Sequence, residues 1–151
     1  MSKKIFILIG LVLLVIFSII FLRNKTDKWN KATQTAERNS YVYTDGNANA
    51  YWIHPASMTI EYDPITPAES SSGMYSGGAY VKKAISRTQF DALAILFERA
   101  AQNKTIHIQD PVKGSGVMTI TTGMEIKEFI LDQDAAEKVE IEKMLKELVK
   151  K

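Results

Sequence analysis

No cysteine occurs anywhere in the 151 residues. That single absence removes disulfides, thiolate metal sites, cysteine nucleophiles and an acylated lipoprotein anchor together. Histidine is nearly as scarce: His54 and His107 stand far apart, and no pair of histidine or carboxylate ligands has a recognised spacing. No metal and no cofactor is therefore expected. The chain also lacks a G-x-S-x-G elbow, and its glycine-rich stretch lacks the strand-to-helix context and lysine of a phosphate loop. A basic stripe is missing too. From Asn39 onward there are twelve Lys/Arg against fifteen Asp/Glu, so the calculated pI of 8.7 reports the amino-terminal basic residues alone. Nucleic acid is not an expected partner.

Charge is absent from residues 5–22, which read IFILIGLVLLVIFSIIFL. As a helix this run is roughly 27 Å long, close to the hydrocarbon thickness of a bilayer. Lys3 and Lys4 would suit a cleaved signal peptide, but the apolar run is longer than the usual h-region. The residues after it, Arg23-Asn24-Lys25-Thr26-Asp27-Lys28-Trp29, offer no small-residue cleavage site. The expectation is an uncleaved single-pass anchor that binds the lipid bilayer through residues 5–22. Gly10 and Ser18 are not at small-xxx-small spacing, so the run carries no helix-pairing motif. Trp29 falls where an indole sits at headgroup level. Counting Lys and Arg alone would keep the carboxyl-terminal side in the cytosol. A very short basic tail before a signal-like segment argues for export, and an extracytoplasmic domain is the expectation.

The organisation that follows is a transmembrane anchor at 1–23, a polar juxtamembrane linker at 24–40 and one globular domain at 41–151. Tyr41-Val42-Tyr43 and Tyr51-Trp52-Ile53 are aromatic and β-branched, and the Asp45-Gly46 between them signals a hairpin turn. Residues 58–62 alternate like a half-buried strand, and another strand is expected over 79–85. Ser86 with Gln89 makes a capping-box signature, followed by Phe90, Leu93, Ala94, Phe97, Ala100 and Ala101 at helical spacing. Strands are expected at 105–109, 117–122 and 124–131. A last helix should start at Asp132 or Asp134 with Glu137 in its cap, and Val139, Ile141, Met144, Leu145, Leu148 and Val149 supply its apolar side. The order β-β-β-β-α-β-β-β-α describes an α+β fold: a mainly antiparallel sheet with two packed helices, following an N-terminal transmembrane helix.

The longest stretch without periodicity, residues 63–78, is the first candidate site, because long irregular loops in compact domains often carry function. Ser70, Ser71, Ser72, Ser76, Gly77 and Gly78 surround Tyr75 with hydroxyls and open backbone amides, suited to a sugar, a peptide backbone or a small anion. Trp52 alternates away from Tyr51 and Ile53 and is a candidate for an outward aromatic contact. A triad of one of these serines with His107 and Asp110 or Asp63 can be drawn on paper. His107 falls on the face of its strand away from Ile106 and Ile108, as a surface residue would. Glu61, Asp63 and Glu69 are the corresponding carboxylate candidates for glycoside cleavage. The leading expectation is a membrane-anchored, noncatalytic binding domain that holds a protein or envelope component near the bilayer, a class that includes immunity- and inhibitor-type proteins. A small tethered hydrolase using the 63–78 loop and an accessory subunit of a membrane complex are the alternatives.

Overall fold

The computed structural model describes residues 39–150. The anchor expected at 1–23 and most of the linker expected at 24–40 lie outside the described residues. Among those that are described, no helix is long and apolar enough to cross a membrane. Seven strands and two helices follow one another as β1 (Asn39–Thr44), β2 (Ala50–His54), β3 (Thr59–Asp63), β4 (Val81–Ala84), α1 (Arg87–Gln102), β5 (His107–Ile108), β6 (Gly116–Thr122), β7 (Glu125–Leu131) and α2 (Ala136–Val149). A 3-10 turn at Lys104–Ile106 joins α1 to β5. The strands form one sheet in the order β4-β3-β2-β1-β6-β7-β5, and each pairing is antiparallel. This is the α+β architecture of a mainly antiparallel sheet with two helices.

Alternation along the strands decides which side the helices take. Tyr41, Tyr43, Tyr51, Ile53, Ile60 and Met118 point to one face and are buried there with Phe90, Leu93 and Phe97 of α1 and Ile141 and Leu145 of α2. The rings pack closely, Tyr41 on Phe97 at 4.9 Å and Tyr51 on Tyr62 at 4.8 Å between centroids. Asn39 and Ser40, expected in the linker, already belong to β1 and pair with Thr122 and Thr121. The strand expected over 79–85 is shorter, because only four of those residues find partners on β3.

Helix α1 begins as its capping box dictates. The Ser86 hydroxyl accepts the Gln89 amide at 3.2 Å, and the Gln89 side chain accepts the Ser86 amide at 2.8 Å. Helix α2 departs from expectation. Ala135 precedes it without a side-chain cap, because Asp132 instead accepts the Asp134 amide at 2.9 Å and Glu137 accepts from Asn103 at 2.8 Å. Its buried stripe runs through Lys138, Ile141, Leu145 and Leu148, and Val139 is 55% exposed. Lysine takes a core position because Glu142, one turn further on, meets its ammonium at 2.8 Å. The same carboxylate accepts the Tyr43 hydroxyl at 2.8 Å. Near the other helix, Glu98 accepts from Asn39 at 2.8 Å and from the Tyr41 hydroxyl at 3.3 Å. Burial first, then the neighbouring carboxylate, pushes both tyrosine hydroxyls up, so each keeps its proton and can donate it to the glutamate.

His107 is not the surface residue its strand position suggested. It is half-buried, its Nε2 lies 2.9 Å from the Ala100 carbonyl, and its ring packs at a tilt against Phe129, 5.0 Å between centroids. The carbonyl belongs to the last turn of α1, where the helix leaves acceptors without internal partners. The ring serves that helix end.

Candidate functional site

The 63–78 loop is tied down by a side chain from another turn. In the hairpin between β1 and β2, Asp45 accepts the backbone amides of Asn47 and Asn49, both at 2.9 Å. Asn49, 2% exposed, is thereby fixed in place, and its amide nitrogen also donates to the Asp45 carboxylate at 2.9 Å. The same nitrogen reaches the Tyr75 hydroxyl at 3.0 Å, and the Asn49 side-chain oxygen accepts the Ile65 amide at 3.2 Å. Both legs of the loop are therefore bonded to one asparagine. Gly77 closes the return leg: its amide donates to the Ile65 carbonyl at 3.0 Å, and its own carbonyl accepts the Tyr62 hydroxyl at 2.7 Å. A Cβ at this glycine would lie 2.0 Å from the Asn49 side-chain oxygen, so only glycine fits.

Between hairpin and loop lies a depression of about 490 Å3. Gly46, Asn47 and Ala48 line one side, Ser70, Ser71, Ser72 and Tyr75 the other, with Ile65 and Glu69 completing it. Ala48 adopts a left-handed conformation, φ 67°, which turns the hairpin back toward β2. Within the loop the Thr66 amide and hydroxyl both donate to Glu69. Those two hydrogen bonds, the hydroxyl's first, hold the Glu69 carboxyl below its ordinary range. Ser70 and Ser72 share a hydrogen bond at 2.9 Å, and the Ser72 hydroxyl accepts the Tyr75 amide at 3.3 Å. The lining thus offers hydroxyls, amides, one aromatic ring and one carboxylate. Among the described residues that line it there is no lysine or arginine. That chemistry suits a neutral polar ligand, such as a sugar or a peptide backbone, and repels an anion.

Of the residues singled out from sequence, Ser70, Ser71, Ser72 and Tyr75 line this depression. Ser76 and Gly78 do not; the Ser76 hydroxyl accepts the Gly78 amide at 3.3 Å in a local turn. Gly77 acts beneath the loop, against Asn49. Trp52 lies elsewhere. It alternates with Tyr51, whose ring packs on Tyr62 beneath the loop, and so faces the opposite side of the sheet, 43% exposed. Sequence reasoning missed Asp45, Asn47 and Asn49. The signal was present as three Asp/Asn residues spaced two apart around Gly46, side chains that bond their own backbone two residues on.

The paper triad is not assembled. His107 sits on β5 at one edge of the sheet, and the serines follow β3 near the other, five strand spacings or roughly 24 Å apart. His54 ends β2 at the far end from the loop and lies 3.3 Å from Glu61. Glu61 in turn meets Lys82 at 2.7 Å and the Tyr80 hydroxyl at 2.9 Å. These contacts, Lys82 first, lower its pKa. Of Glu61, Asp63 and Glu69 only Glu69 lines the depression, so no carboxylate pair faces across it. Among the described residues no three His, Asp or Glu side chains are grouped to hold a metal ion. No protein-family model, curated protein or solved structure matches the chain.

Proposed function

We propose that the chain is a single-pass, membrane-anchored binding domain, noncatalytic, which holds a protein or envelope component at the bilayer outside the cytosol. One observation carries the reading. The 63–78 loop is bonded to Asn49 instead of hanging slack, and the depression it makes with the hairpin presents a fixed set of hydroxyls and amides beside one carboxylate, Glu69. Preorganised polar groups around an aromatic ring favour recognition, since little freedom is lost on contact. The uncharged run at residues 5–22 supports the membrane half of the proposal.

The test uses the full-length chain, crosslinked in its native membrane and purified in mild detergent. A partner or glycan that binds the depression is recovered with the wild type. Ser71→Arg, which fills the depression from an exposed position, lowers recovery at least tenfold and leaves thermal stability unchanged within about 0.5 kcal/mol. Recovery indifferent to Ser71→Arg would refute the site. A mature chain that starts beyond Arg23 and is free of membrane would refute the anchor.

A further inference from the structure

Residues that alternate away from the helices form a second sheet face, and no described helix lies on it. Across its middle the strand registers align one row: Lys82, Glu61, Trp52, Val42, Thr119 and Glu128, running from β4 to β7. A cation stands at one end, a carboxylate at the other, and the two apolar members at the centre. The neighbouring row holds Ala84, Thr59 and His54 on one half and Thr121 and Ile126 on the other. Ile126 is 69% exposed.

We propose that this face packs on the same face of a second copy of the chain, about a two-fold axis parallel to the strands. Such an axis sets Lys82 opposite Glu128, Trp52 opposite Val42, Ala84 opposite Ile126 and Thr59 opposite Thr121. Charge meets opposite charge, and apolar meets apolar. An axis across the strands would instead set Lys82 on Lys82 and Glu128 on Glu128. The parallel axis also starts β1 of both copies from the same end, as two chains held in one bilayer require; that clause alone rests on the anchored reading. Lys82 keeps Glu61 at 2.7 Å and has further donors for a second carboxylate. Aligned sheets cross at about 30°, which offsets the ends of the row by roughly 6 Å, within reach of a lysine side chain. Six strands, each about 4.8 Å wide, by about 17 Å of strand give roughly 500 Å2 from each copy, near the lower bound for a specific interface.

The experiment keeps the full-length chain in mild detergent and reads its mass by light scattering over a dilution series. Because the chain contains no cysteine, Val42→Cys beside the axis is a unique thiol. A short bismaleimide links it into a covalent dimer, and does not link Ile95→Cys on the outer side of α1. Glu128→Lys and Lys82→Glu each weaken the dimer about tenfold, since two symmetric pairs turn repulsive. The double reversal restores it to within about threefold. A dimer that ignores both reversals and gives no Val42→Cys crosslink pairs through residues 5–22 alone; a monomer throughout has another occupant on the face. Either result overturns the proposal. Capture at the 63–78 depression is scored separately with Ser71→Arg, so failure of one reading is told apart from failure of the other.

Discussion

Strand β1 sends Tyr41 and Tyr43 to one side of the sheet and Val42 to the other, and the two sides meet different demands. On the helix side each tyrosine brings a large apolar ring into the core and a hydroxyl that must find an acceptor there. Glu98 of α1 answers Tyr41, and Glu142 of α2 answers Tyr43. Each helix is thereby held in register by a hydrogen bond as well as by packing. The open side has no such constraint. Its charges pair across strands in solvent, as Glu61 does with Lys82, and such exposed pairs contribute little to stability. One face therefore specifies the fold, and the other carries side chains that the fold does not dictate.

Substitutions on the two faces should differ accordingly. The largest effect is expected at Phe97, fully buried against Tyr41 and Tyr43: Phe97→Ala should lower unfolding free energy by about 3–5 kcal/mol in a urea titration. Lys138→Met should cost about 2 kcal/mol, since it strips Glu142 of its nearest cation in a half-buried site. The same variant carries a pH signature. Burial pushes Glu142 up, but Lys138, the Tyr43 hydroxyl and Lys146 outweigh it and hold the carboxyl below its ordinary value of 4.5. Its folded pKa is depressed, so its contribution is present above that ordinary value and is lost as pH falls through the folded one. The wild type should thus lose stability on acidification below pH 4.5, and Lys138→Met should lose less over the same range. The smallest effect is expected at Ile126, 69% exposed on the open face of a single copy: measured in the dilute monomer, Ile126→Thr should change the unfolding free energy by no more than about 0.5 kcal/mol. A large loss there would erase the distinction between the faces.

Much of this arrangement could be read from the chain. The element order, the Ser86–Gln89 cap and the inward set Tyr41, Tyr43, Tyr51 and Ile53 follow from periodicity and capping chemistry, which are local. What escaped is what depends on partners distant in sequence. Hydrophobicity places Val139 on the apolar side of α2 and gives no sign that Lys138 is the buried one. Only Tyr43 and Glu142 together make a lysine acceptable inside. Asp132 and Asp134 looked like caps until the turn before α2 claimed Asp132. His107 was read from strand alternation, which cannot foresee the end of α1 lying beside it. The candidate site was half legible: composition marked the 63–78 loop, while Asn49, which holds it, sits in a different turn.

Asn49 has one more consequence. Because a single amide closes both the hairpin and the long loop, the two cannot swing independently, and a molecule seated among Ser71, Tyr75 and Asn47 would press on one stiff jaw. Traction on that molecule would pass through Asn49 and Asp45 into the middle strand of the sheet. The grip would be mechanically continuous with the strand whose first residue, Asn39, receives the chain from its leading segment.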